Sequence, residues 1–369
     1  MRNGGARLNR AVLSVASPLV IAATTAWMAA APAAAGTARA APAVSFAPGG
    51  VLIDVAAASA RNAWAVGRIG TTSVKTLIAH WNGAQWKVVQ NPATARHAWL
   101  DSVAVISARN AWAVGFSARN FAATRTVILH WNGMAWKRMH APSAAGGFLA
   151  GVAATSGRNA WAVGDTARFR KTLIVHWNGT AWTRVPAPTP ERGGVLIGVA
   201  AMSRSNAWAV GRTFHGKTLI LHWNGTTWKR VPSPNPASSS ALERVTATSA
   251  RNAWAVGAAG GKPLIVHWNG TTWNAVHSAS LTGDGELVGV TATSARNAWA
   301  VGRTSAGKTL AMHWNGTTWN RVASPSPGGA AELIGVTATS PRNAWAVGTN
   351  LFGRTAKALV LRWNGTVWK

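Results

Sequence analysis

From about residue 51 onward the apolar positions fall in short runs broken by glycine, proline and asparagine, and no run carries the spacing of an amphipathic helix. Residues 194–236 show the pattern in full. Leu196–Met202 is a run of small and β-branched residues, Asn206–Val210 alternates Trp and Val with Ala, and Thr218–Trp223 is a third apolar run. The Asn224-Gly225 pair predicts a two-residue hairpin, since a type I′ turn needs positive φ at both central positions. Thr226–Val231 returns as a fourth strand, and the segment Pro232-Ser233-Pro234-Asn235-Pro236 ends it. In such a hairpin Trp223 faces Thr226 and Leu221 faces Trp228, which puts both tryptophans on one face of the sheet.

This unit is repeated. The string S-x-x-N-A-W-A-V-G begins at Ser59, Ser107, Ser156, Ser203, Ser249, Ser294 and Ser340, with its tryptophans 48, 49, 47, 46, 45 and 46 residues apart. W-N-G-x-x-W follows each copy, at Trp81/Trp86, Trp131/Trp136, Trp177/Trp182, Trp223/Trp228, Trp268/Trp273, Trp314/Trp319 and Trp363/Trp368. A period in the mid-forties means a solenoid or a propeller, and the hairpin turns exclude the helical solenoids. Seven repeats of about 46 residues with four strands each predict an all-β fold, a seven-bladed β-propeller of four antiparallel strands per blade over residues 51–369. Closure is the weak point of that expectation. The last blade ends only four residues into its outer strand, and residues 40–48 are assigned the missing pairing.

Spacing separates the two ends of the blades. From the glycine of A-V-G to the next W-N-G tryptophan the distance runs from 11 to 16 residues, whereas the hairpin tryptophans are always five apart. One end therefore carries variable loops and the other uniform turns, and a ligand needing individual recognition is expected at the variable end. The repeated tryptophans are read as wedges buried between blades. Trp99 breaks the pattern and is the one aromatic proposed for ligand contact. The N-G-T sequons at Asn178, Asn224, Asn269, Asn315 and Asn364 are read as turns, because Ala84 and Met134 replace the threonine in the first two copies. His80, His130, His176, His222, His267 and His313 occur once per blade and are read as packed, hydrogen-bonded side chains, so no metal site is assigned.

The first residues follow another pattern. Arg2, Arg7 and Arg10 precede an uncharged stretch to Ala35 with small residues at its end, the form of a cleaved secretory signal peptide over residues 1–35, followed by a linker over 36–50. The protein is then secreted or extracellular, the alternative being a membrane anchor formed by the uncleaved signal. The chain carries 37 Lys and Arg against 8 Asp and Glu, and loss of the three signal arginines takes the charge from +29 to +26. Arg61, Arg109, Arg158, Arg251, Arg296 and Arg342 precede the asparagine of the repeat, with Arg204 shifted by one, and form a candidate anion-binding ring. Lys75, Arg125, Lys171, Lys217, Lys262, Lys308 and Lys357 precede the third strand, towards the opposite end. The other reading of the ring is a set of solvated turn residues.

The motifs N-A-W-A-V-G and H-W-N-G-T-T-W resemble those of Asp-box (BNR-like) propellers, especially the photosystem II assembly factor type, over about residues 51–369. The sequence has Asn where the box has Asp, and a shorter hairpin. The resemblance implies a seven-bladed, non-enzymatic binder. Sialidases, kelch-type galactose oxidase and seven-bladed lectins look similar too, but the first two need a tyrosine, and galactose oxidase a cysteine, and this chain has neither. The eight carboxylates suggest no acid–base pair, so no catalytic residue and no cofactor is assigned. The expectation is a monomeric, non-catalytic scaffold for a protein or an anionic cell-envelope polymer, with nucleic acid bound only non-specifically. The alternative is a lectin-like carbohydrate binder.

Overall fold

The computed structural model describes residues 49–369 apart from 71–72, 93–96, 119–123, 143–145, 167–170, 278–280, 282 and 353–354. The expected signal peptide, the linker up to residue 48 and the proposed closing segment 40–48 lie outside the described residues. The chain forms a seven-bladed β-propeller with no helix among the described residues, its blades spanning residues 50–88, 98–138, 148–184, 194–231, 240–275, 285–322 and 330–369. Each blade is an antiparallel meander. In the fourth, Gly194–Ala201, Ala207–Thr213, Thr218–Trp223 and Trp228–Val231 pair in sequence order, the first strand innermost.

Local chemistry explains each motif. The glycine of A-V-G is required because the inner strand bulges opposite it; at Gly211 a Cβ would overlap the carbonyl oxygen of Val195. The register skips from Leu196 to Gly198 there, and the inner strand of every blade has a shift at the equivalent place. The asparagine of the motif bonds the histidine ring of the third strand, as between His222 Nε2 and Asn206 at 3.0 Å or His267 Nε2 and Asn252 at 2.8 Å. The serine oxygen accepts an N–H two residues on and fixes the turn, as from Arg61 to Ser59 at 3.2 Å. These bonds bear out the structural reading of the histidines.

The W-N-G-x-x-W hairpin differs from the two-residue turn expected from its Asn-Gly pair. Trp223 lies directly opposite Trp228, so four residues, 224–227, make the connection. Only the glycine takes positive φ, +100° at Gly225. Asn224 Oδ1 accepts the N–H groups of Thr226 at 3.1 Å and Thr227 at 2.9 Å. The carboxamide thus supplies the turn's hydrogen bonds and a type I′ geometry is not needed. The two tryptophans still share a face, because directly opposed residues do so.

Blades are joined by aromatic packing. Trp208 of blade 4 meets Trp268 of blade 5 at 4.9 Å and Trp273 edge-on at 5.2 Å and 88°, while His222 of its own blade lies over it at 4.2 Å. The same arrangement recurs at all seven junctions, including the one that closes the ring, where Trp345 meets Trp81 at 4.8 Å and Trp86 at 5.3 Å and 84°. Arg362 stands there in place of histidine, its guanidinium carbon 5.1 Å from the Trp345 ring and 5.7 Å from that of Trp81. Blade 7 keeps only a stub of outer strand, with Trp363 bridged to Trp368 and Arg362 and Lys369 exchanging backbone bonds at 2.8 and 3.0 Å. Gly49 N–H reaches the carbonyl of Ala356 in blade 7 at 2.9 Å. Among the described residues the ring is closed by the tryptophan junction, by packing of Leu52 and Val55 with Val347, and by this backbone contact.

Trp228 is 3% exposed and sits edge-on to Trp161 of the preceding blade at 5.2 Å and 88°. We expect Trp228→Ala to cost about 3–5 kcal/mol, as truncation of a buried aromatic does. Thermal or denaturant unfolding checks it, and unchanged stability would mean the ring is not a wedge.

Candidate anion-binding face and axial charge cluster

The hairpin turns between the first and second strands and those between the third and fourth lie at one end of the blades, here called the turn face. The variable loops and the connections to the next blade lie at the other, the loop face. The seven candidate arginines all sit on the turn face and all are exposed. The basic residues near the starts of the third strands, six lysines and Arg125, sit at the loop face, as expected.

Each arginine turn is held from three sides. The first hairpin tryptophan donates its indole N–H to a carbonyl within it, Trp81 to Ala60 at 3.0 Å and Trp268 to Ala250 at 3.0 Å. The serine oxygen accepts the arginine's own N–H at 3.2–3.3 Å in all six turns that are in register. The aliphatic stem packs on the hairpin glycine, where a Cβ on Gly83 would come within 3.2 Å of Arg61 Cβ. Arg204 departs from this geometry, since Ser205 occupies the place beside Gly225. Its charge, after burial, helps depress protonation of His176 in the preceding blade.

Trp99 lies in an inner strand near the loop face, half-buried and stacked on Phe116 at 4.8 Å and 19°. Phe116 in turn meets Phe148 of the next blade at 5.7 Å. The structure thus places Trp99 in a packed aromatic trio at the opposite end from the arginine ring.

Six of the eight acidic residues lie on the inner two strands, an arrangement the repeat pattern did not reveal, while Glu191 and Asp284 are exposed in connections between blades. The inner strands crowd at the level of Asp54, Ser102, Gly151, Gly198, Arg244, Gly289 and Gly335; a Cβ on Gly198 would lie 2.8 Å from Arg244 Cα, and one on Gly335 2.7 Å from Asp54 Cα. Asp54 accepts bonds from Ser102 Oγ at 2.7 Å, Val103 N–H at 3.0 Å and Val55 N–H at 2.9 Å. Arg244 of blade 5 donates to the carbonyl of Asp101 in blade 2 at 3.2 Å and to that of Glu243 at 3.1 Å, and so bridges distant blades. Asp101 is fully buried, and neither carboxylate oxygen has a hydrogen-bond partner among the described residues. Burial pushes its carboxyl up to about 7, against the opposing pull of Arg244 and Arg68.

Nearer the loop face, Arg303 of blade 6 pairs with Glu286 of its own blade at 2.8 Å and Glu332 of the next at 3.5 Å. Glu286 and Glu332 occupy equivalent positions in successive blades, and one guanidinium joins them. Burial works to lower protonation of Arg303, but the two glutamates outweigh it. Burial lowers the pKa of Arg68 and Arg212, and acids from neighbouring blades offset this only in part: Asp101 and Glu332 for the first, Glu243 and Asp165 for the second. Among the described residues no three of His, Cys, Asp or Glu converge as a metal centre requires.

No protein-family model and no curated protein matches the chain. Among solved structures it is similar to "YCF48 bound to D1 peptide", with 15% identity and a TM-score of 0.58 over 86% of this chain and 96% of that one. YCF48 from Cyanidioschyzon merolae matches with 16% identity and the same TM-score, over 86% of this chain and 98% of that one. At these identities the likeness is one of propeller fold.

The buried aspartate gives a pH prediction. Its folded-state pKa is raised, so the stability tied to its protonation is complete below the ordinary value of 3.8 and is lost as pH rises through about 7. Asp101→Asn should therefore melt above the wild type at pH 8, with the gap shrinking as pH falls towards 4. A gap that does not change with pH contradicts the assignment.

Proposed function

We propose that this protein is an exported, non-catalytic binding propeller that holds an anionic partner of the cell envelope. The observation that carries the reading is the set of seven exposed arginines on turns fixed by indole and hydroxyl hydrogen bonds. Groups held in place before binding lose little freedom when a ligand arrives. The missing tyrosine and cysteine remove the chemistry of the enzymatic propellers its motifs resemble. Binding is also what the fold's solved neighbour YCF48 does with its D1 peptide. The hairpin asparagine fits the Asp-box likeness, since its side chain accepts turn N–H groups as a short carboxylate would.

The lectin-like reading is less well supported, because no tryptophan among the described residues is fully exposed for sugar stacking. The chain from residue 36 onward should co-sediment with envelope material that retains its anionic polymers, and it should be released as salt is raised. Salt-insensitive binding to neutral glycans would favour the lectin instead. Binding to neither would remove this reading.

A further inference from the structure

The charges of this molecule are segregated by end. All eight Asp and Glu residues of the chain are among the described ones. Asp54, Asp101 and Glu243 lie midway along inner strands. Asp165, Glu286 and Glu332 lie on the inner two strands at their loop-face ends. Glu191 and Asp284 lie in the connections between blades, again at the loop face. The turn face therefore carries no acid at all. Its seven arginines repeat around the axis without a carboxylate between them, while the loop face mixes both signs.

From this we propose that the turn face is a docking surface for a linear phosphodiester polymer without bases, of the polyol-phosphate kind. The inference rests on the envelope-binding reading above and names its face and its ligand chemistry. Three observations select this occupant. The cations are guanidinium groups, whose planar fork matches the oxygens of a phosphate. Six of the seven recur at equivalent positions, with Arg204 of blade 4 shifted by one, which suits a chain of repeated charges better than the irregular surface of a folded partner. The exposed large apolar residues of this end are Met134 and Val367, with no aromatic among them. The tryptophans nearest this end, Trp131, Trp223, Trp268 and Trp314, are half-buried with their indole N–H groups bonded to turn carbonyls, so no fully exposed ring is presented for nucleic-acid bases. Rigid turns and the lack of acids also fix the kind of recognition: attraction by counterion release, strong at low salt and indifferent to sequence.

The test compares two variants that lose the same charge from opposite ends. One changes the six arginines in register, at 61, 109, 158, 251, 296 and 342, to Gln. The other changes Lys75, Arg125, Lys171, Lys262, Lys308 and Lys357 to Gln. Binding of synthetic poly(glycerol phosphate) is measured for the chain from residue 36 onward, between about 50 and 200 mM salt. The turn-face variant should lose at least about tenfold in affinity and most of its salt slope, and the loop-face variant should stay within about threefold of wild type. Equal losses would mean that net charge alone attracts the polymer, and a larger loss at the loop face would reverse the assignment; either result overturns the proposal. An Arg→Lys version of the six keeps the charge and the fold, and should keep the salt slope while weakening phosphate binding. Tighter binding of single-stranded DNA or polyglutamate at equal charge would transfer the surface to nucleic acid or to an acidic protein. If the wild type binds envelope material and the turn-face variant does so equally well, this inference fails and the broader reading stands. A wild type that binds no envelope material removes the broader reading itself.

Discussion

The edge-on contact between indoles across each blade junction is the constraint on which the rest depends. A four-stranded blade has two apolar faces and cannot stand alone, so every sheet must bury both against neighbours. The splay between blades is widest towards the outside, and there the three tryptophans of each junction fill it. Trp64, Trp112, Trp161, Trp208, Trp254 and Trp299 are at most 1% exposed, and Trp345 at the closing junction is 4% exposed. Edge-to-face geometry sets positive ring edges on negative ring faces, which adds directionality to the area buried. The flanking histidine and asparagine hold the first ring from the other side. Burial lowers the pKa of the histidines at the other six junctions and disfavours charge there, whereas the closing junction holds the Arg362 guanidinium.

The same junctions shape the electrostatics. Because an indole N–H from the third strand locks each turn of the first two, packing in the outer blade fixes arginines near the axis. Like charges held this way repel, and the acids lie elsewhere. Asp54 and Asp101 act on Arg244, Glu243 and Asp165 act on Arg212, and Glu286 and Glu332 share Arg303. A chain with few carboxylates has used them to neutralise the arginines packed among its inner strands, and so its exposed turn arginines stay unpaired. The consequence is a molecule with one cationic face and one mixed face.

Much of this was legible in the sequence. The seven-fold period, the four strands per unit and the burial of the repeated tryptophans follow from residues that recur in register. The hairpin was misread because Asn-Gly is a strong signal for a type I′ turn, and nothing in the string N-G-T-T shows that the asparagine side chain would take over the hydrogen bonding. Arg68, Arg212 and Arg303 follow the A-V-G glycine in three blades where the other four have Phe, Asp, Ala or Thr, and Arg244 stands where the others have Asp, Ser or Gly, so none of the four is common to all blades. Repeat comparison detects what blades share, and the axis is where they differ. The partner of Arg244 lies 143 residues away, across the ring, and no local pattern encodes that distance.

If the indole junctions carry the fold, the closing junction, with Arg362 in place of histidine, should hold as firmly as the others. Native-state hydrogen exchange of second- and third-strand amides measures this directly. The account predicts that amides of blades 1 and 7 exchange with the same opening free energy as those of blade 4, through global unfolding. Much faster exchange confined to blades 1 and 7 would show a seam at the closure and contradict the claim that seven equivalent aromatic contacts hold the ring.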